Sequence, residues 1–218
     1  MNYGTVSDSF ATGPVTGVDN AGGLVGLNDN GQITDSYAAG LVTASSYWVG
    51  GLVGESFGDS ARILRSYATG DVVATGATYH VAGLIGSNAA EIEDSYATGG
   101  VTGLISVGGF VGTNQDGGSI SRCYSYGTVA ADMNPGGFAG VCSGTIAGSY
   151  WDTDASAIEE SAGGEGRTTS QMQAGTPDAY INPDGTVDGD QALNNLMYDG
   201  WDTSVWNFGA DGHYPVLQ

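Results

Sequence analysis

One pattern returns along most of this chain, and a recurrence of this kind decides the fold before any single residue is considered. A glycine block appears as AGGLVGLN (21–28), VGGLVGES (49–56), VAGLIGSN (81–88), VGGFVGTN (107–114) and PGGFAGVC (135–142), with starts 28, 32, 26 and 28 residues apart. A second block follows each: ITDSYAAGLV (33–42), ILRSYATGDV (63–72), IEDSYATGGV (92–101), ISRCYSYGTV (120–129) and IAGSYWD (146–152). VSDSFATGPV (6–15) is a sixth copy without a glycine block before it, so the first unit reads as incomplete. The aromatic marks Phe10, Tyr37, Tyr67, Tyr96, Tyr124 and Tyr150 are 27, 30, 29, 28 and 26 residues apart.

Short β-branched runs between glycines read as strands joined by tight turns, about three per unit. No unit of this size buries its apolar side alone, so neighbours must stack. A propeller is the alternative, but its four-stranded blades need roughly 40 or more residues. The period therefore predicts an all-β chain. Residues 1–150 are expected to form a parallel β-solenoid of ~28-residue coils, with a right hand, and 151–218 an irregular C-terminal cap packed on the last coil.

Aligned copies show which side chains face inward. Val6, Ile33, Ile63, Ile92, Ile120 and Ile146 stand four before the aromatic and read as core. Ser9, Ser36, Ser66, Ser95, Cys123 and Ser149 precede it, and mostly alanine follows, which implies tight packing. Two before it stand Asp8, Asp35, Arg65, Asp94, Arg122 and Gly148. Parallel strands lie ~4.8 Å apart, so Asp35, Arg65, Asp94 and Arg122 are expected to form an alternating charge ladder. Strand alternation puts the aromatic row on the same side as that ladder. Two readings of the row stay open: a stacking ladder covered by another segment, or an exposed platform for sugars.

Glycine makes up 39 of the 218 residues, which suits turns and thin strands better than helices. Twenty-four acids stand against four basic residues, all Arg, for a net charge of −20. Such a charge repels nucleic-acid backbones and anionic lipid. Without Lys there is no Schiff-base or P-loop chemistry. The acid excess suggests a halophilic source. No apolar run approaches the ~20 residues of a membrane span. The start, MNYGTVSDSF, lacks the basic and apolar regions of a signal peptide.

The G-G-L-V-G run followed by S-Y-A-T-G resembles the GLUG motif, a repeat of large bacterial and archaeal surface and secreted proteins, often adhesin-like. The tail pieces SYWDTDAS (149–156), GGEGRTTSQM (163–172), GWDTSVWNF (200–208) and HYPVLQ (213–218) resemble the segment that closes such arrays. The resemblance implies a surface or extracellular setting and brings no catalytic residues. The absent leader and incomplete first unit suggest a part of a longer protein. Partners are then expected among other surface proteins, upstream repeats of the parent chain, or cell-surface glycans.

Candidate chemistry is sparse. NPDGTVDGDQAL (182–193) partly matches an EF-hand-like loop, with Asn182, Asp184, Asp188 and Asp190 as calcium ligands, but Tyr180 and Gln191 fall where acids belong. The segment 188–198 reads as one short helix. Asp152 with Asp154, and Asp188 with Asp190, are carboxylate pairs of the kind glycoside hydrolases use, yet both lie in the tail. His80 and His213 have no partner at ligand spacing and read as surface residues. Cys123 and Cys142 are one coil apart and could close a disulfide in an oxidising exterior. These observations point to a non-catalytic structural or adhesive surface module. A carbohydrate-binding module on the aromatic row is the alternative, and a polysaccharide-degrading enzyme stands behind both.

Overall fold

The computed structural model describes residues 1–76, 78–173, 180–181, 187–188, 198–209 and 212–218. The repeats form a parallel β-solenoid of about five turns, and each coil lays its strands on four sides. A nine-stranded sheet takes the end of each glycine block and the isoleucine strand, which merge in Val53–Leu64 and Ile85–Glu93. A seven-stranded sheet runs from Phe10–Ala11 through Tyr37–Ala38, Tyr67–Ala68, Tyr96–Ala97 and Tyr124–Ser125 to Tyr150–Asp152 and Glu165–Arg167. Two five-stranded sheets complete the coil, one from Val15–Gly17 to Val129–Ala130 and one from Ala21–Gly22 to Met133–Gly136.

Neighbouring units pair in the register that the period predicts. Val6 pairs with Ile33, Ile33 with Ile63, Ile63 with Ile92, Ile92 with Ile120, and Ile120 with Ile146. The four central isoleucines are buried, together with Leu52, Leu84, Phe110 and Phe138 of the glycine blocks. Each such side chain contributes about 1.5–3 kcal/mol relative to exposure. A second core holds Val42, Val72, Val101 and Val129 with Val49, Val81 and Val107. Between the two, the glycine at the third position of the first four blocks meets the small residue after the aromatic, as Gly51 faces Ala68 and Gly83 faces Ala97. A Cβ on Gly51 would also overlap the carbonyl oxygen of Gly83 in the next coil. The G-G pair is thus a close approach that pinches the coil at its waist.

Polar rows turn the corners. Asp8, Asp35, Arg65, Asp94, Arg122 and Gly148 all have φ between 47° and 53°, the left-handed region that Asp and Gly enter most readily. The flip there swings the following serines inward. Each buried serine hydroxyl donates to the carbonyl two residues back, as Ser66 does to Leu64 at 2.9 Å, and accepts the N–H of the serine one coil earlier, as from Ser36 at 3.2 Å. A second left-handed column, Asn20, Trp48, His80, Ser106 and Asn134, directly precedes the glycine blocks. At the other end of those blocks stands a buried row of Asn28, Ser56, Asn88 and Asn114. Its side chains bond across coils, Asn28 to Ser56 at 3.0 Å and Asn88 to Asn114 at 2.8 Å, and Asn2 joins at 2.8 Å.

The stack runs past residue 150. Trp151 enters the main core, and Glu165–Arg167 adds a strand beside Tyr150–Asp152. The last glycine block bonds to the chain that follows, Gly137 N–H to Glu160 at 3.0 Å and Ala139 N–H to Ser161 Oγ at 2.8 Å. One-turn helices at Thr153–Ser156 and Thr169–Met172 are each capped by the preceding side chain, Asp152 and Thr168. The described residues from 198 onward lie along the flank of the solenoid, where the aromatic row is.

Candidate functional site

The six marked aromatics form one outward row on the seven-stranded sheet. Ring centroids are 5.3 Å apart for Phe10–Tyr37, 4.9 Å for Tyr37–Tyr67, 4.7 Å for Tyr67–Tyr96 and 5.1 Å for Tyr96–Tyr124, all within 9° of parallel. Such spacing follows from the parallel register, and each pair adds about 0.5–1.5 kcal/mol. Rings from Tyr37 to Tyr96 therefore have neighbouring rings on both faces. Only edges and hydroxyls look outward.

The row changes character along its length. Phe10 is 64 % exposed, Tyr37 and Tyr67 are half-buried, and Tyr124 is 1 % exposed. The difference comes from the tail, because Tyr198, Trp201, Trp206 and Phe208 pack on Tyr96, Tyr124 and Tyr150. Polar contacts fix their positions. Trp206 Nε1 donates to Asp94 at 3.1 Å, the Tyr124 hydroxyl to Pro215 O at 2.6 Å, and the Tyr198 hydroxyl to Met172 O at 2.6 Å. Trp201 Nε1 donates to Gly148 O at 3.0 Å. Burial raises the phenols of Tyr96, Tyr124, Tyr150, Tyr198 and Tyr214 above the ordinary tyrosine range. The row is thus covered along its C-terminal half and open along its N-terminal half.

The charge ladder lies beside this row, resolved into two pairs. Arg65 grips Asp35 with both Nε and a terminal nitrogen at 2.7 Å. Arg122 does the same to Asp94 at 2.8 and 3.0 Å and adds Glu93 at 2.8 Å. The Arg65 guanidinium holds the Asp35 carboxyl below its usual range. A cleft of about 610 Å³ opens between Asp35, Tyr37, Arg65 and Tyr67 and the tail edge at Val205 and Leu217.

The other expected residues fall elsewhere. Cys123 and Cys142 are both free, which corrects the disulfide. Cys123 stands in the serine row, with its backbone N–H on Ser149 Oγ, whereas Cys142 stands in the asparagine row opposite Asn114. Two different corners of the coil separate the thiols. Asp152 and Asp154 spend their carboxylates on structure. Asp152 is buried, caps Ala155 N–H at 2.8 Å and accepts from the Tyr214 hydroxyl at 2.6 Å, while Asp154 accepts from Thr169 N–H at 3.0 Å. The loop residues Asn182, Asp184 and Asp190 and positions 189–197 of the expected helix lie outside the described residues; of its two ends, Asp188, the fourth ligand, falls in a short strand and Tyr198 in a turn. Among the described residues no group of three or more His, Cys, Asp or Glu could hold a metal ion. His213 is exposed, and half-buried His80 sits in the left-handed column.

Three features escaped the sequence reading. The asparagine row was visible as the last letter of each glycine block, and the second left-handed column as the letter before it. Trp206 carried no periodic signal, since its partner Asp94 is 112 residues away.

The family model for the GLUG motif matches residues 17–44, 45–73, 77–102 and 103–130, just over half of the chain. The chain belongs to the GLUG-motif family. Each matched GLUG unit spans one coil, from one valine strand to the next. Halomucin of Haloquadratum walsbyi is 38 % identical over 144 residues, covering 58 % of this chain and 2 % of that protein. The Immunoglobulin A1 protease of Streptococcus pneumoniae is 29 % identical over 148 residues, 62 % of this chain and 7 % of that one. The chain therefore spans a small fraction of either relative. No solved structure matches it. Among the described residues, no helix is long and apolar enough to cross a membrane.

Proposed function

We propose that these GLUG coils serve as a non-catalytic structural and adhesive module within a longer extracellular or cell-surface protein. One observation carries this. The side chains that recur with the period are used by the neighbouring coil: serine hydroxyls by serine N–H groups, asparagine amides by asparagines, tyrosine rings by tyrosine rings. A repeat selected for stacking supports a spacer or contact role rather than turnover. The relatives agree, since the match takes in a small part of each. The second relative is named a protease; we assign this chain no share in cleavage.

The acid excess and the halomucin likeness favour a saline extracellular setting. Partners in this reading are further repeats of the parent chain, other surface proteins, or glycans. The sugar-platform alternative finds little support, because the rings from Tyr37 to Tyr96 turn their faces to one another. Labelling with an antibody to this segment tests the reading. Signal on intact cells is expected, together with reduced adhesion when the segment is deleted from its parent. Signal only after lysis, or unchanged adhesion, would overturn it.

A further inference from the structure

The repeat has copied one feature of the tail interface to a place where the tail forms only one wall. In the covered copy, Asp94 and Arg122 form a two-pronged ion pair beside the stacked Tyr96 and Tyr124. Trp206 rests against both tyrosines, its ring 6.2 Å from Tyr96 and 5.9 Å from Tyr124 at tilts of 47° and 50°. Its indole N–H reaches the Asp94 oxygen that also accepts Arg122 Nε. Two coils earlier the same residue types stand in the same registers. Asp35 and Arg65 form the same two-pronged pair, and Tyr37 and Tyr67 stack at 4.9 Å. There the carboxylate and guanidinium are 41 % and 40 % exposed, and the tail contributes a rim at Ser204, Val205, Leu217 and Gln218.

We propose that Asp35, Tyr37, Arg65 and Tyr67 form a second tryptophan seat, which docks an extended, tryptophan-bearing polypeptide segment of a partner. The chemistry is that of the first seat. An indole lies across two tyrosine edges, and its N–H donates to the aspartate oxygen already shared with arginine, a charge-assisted bond. The surface is continuous with the interface the tail already makes, and a cleft of about 610 Å³ lies in the range that takes a large side chain with its flanks. For its biological use the inference rests on the contact-module reading, whereas the seat itself stands on the geometry.

A fluorescein-labelled peptide with the sequence of residues 200–208, GWDTSVWNF, serves as the probe, titrated with the whole chain and followed by anisotropy. Saturable binding is expected. Replacing the second tryptophan of the peptide by phenylalanine keeps the ring, removes the donor and should weaken binding about tenfold. Asp35→Asn in the protein should weaken it by a similar factor, and Tyr67→Ala should abolish it. Tyr67→Phe keeps the ring edge and the stack, so it should bind as the parent does and guards against misfolding. Asp94→Asn should leave the affinity within about twofold. No binding at millimolar protein, indifference to Asp35→Asn, or loss in Asp94→Asn alone would overturn the inference. None of these outcomes bears on surface labelling, so the two readings fail separately.

Discussion

The amide of Asn88 donates to the side-chain oxygen of Asn114 at 2.8 Å, one coil on and fully buried. The same amide group donates to Ala90 O at 3.0 Å, and the Asn88 oxygen accepts Ala90 N–H at 3.1 Å. One side chain thus turns its own corner and ties two coils together, as amide ladders do in stacked sheets. Asn88→Ala strands those partners in a dry interior and should cost about 1–3 kcal/mol. Asn88→Ser should recover part of this, since Ser56 fills the same row. Chemical denaturation of the three proteins decides; equal midpoints would show that the row is dispensable.

Gly51 tests the close approach at the waist. A methyl there meets the Gly83 carbonyl and Ala68, neither of which can move without shifting a coil. Gly51→Ala should therefore destabilise by about 3 kcal/mol or more. Gly13→Ala, where a methyl meets open space, should leave the melting temperature nearly unchanged. Similar melting temperatures for both variants would refute the argument.

High pH should release the tail. The phenols of Tyr96, Tyr124, Tyr198 and Tyr214 are raised, chiefly by burial, whereas in the unfolded chain they ionise near pH ~10. Groups whose folded pKa is raised contribute stability that is present below pH ~10 and is lost as pH climbs toward the folded values. Phenolate absorbance should then rise cooperatively with the loss of near-ultraviolet circular dichroism. Smooth ionisation of all tyrosines with the fold intact would contradict this.

Salt should stabilise the chain. All four arginines are paired with carboxylates, which leaves a net charge of −20 to repel itself in the compact state. Screening weakens the exposed pairs, worth about 0–1 kcal/mol each, but relieves the larger repulsion. Melting temperature should rise from low to molar salt, and millimolar calcium is a second arm. Coincident melts in all three conditions would sink the idea.

The period, written in Ile33, Ile63, Ile92 and Ile120 and in the tyrosines, determined the parallel solenoid and its register by itself. A parallel stack sets each residue over its equivalent in the next unit, so a one-dimensional repeat maps directly onto contacts. The charge ladder and the inward serines were legible for the same reason. Nothing periodic announced where the tail would lie. Trp206 meets Asp94, and Tyr214 meets Asp152, through contacts that no spacing encodes. Whether the aromatic row is core or surface was therefore decided coil by coil in the tertiary structure. Phe10 and Tyr124 occupy one register and bear kindred rings, but Phe10 ends the row with one face open while the tail packs on Tyr124, which separates an exposed ring from a buried one.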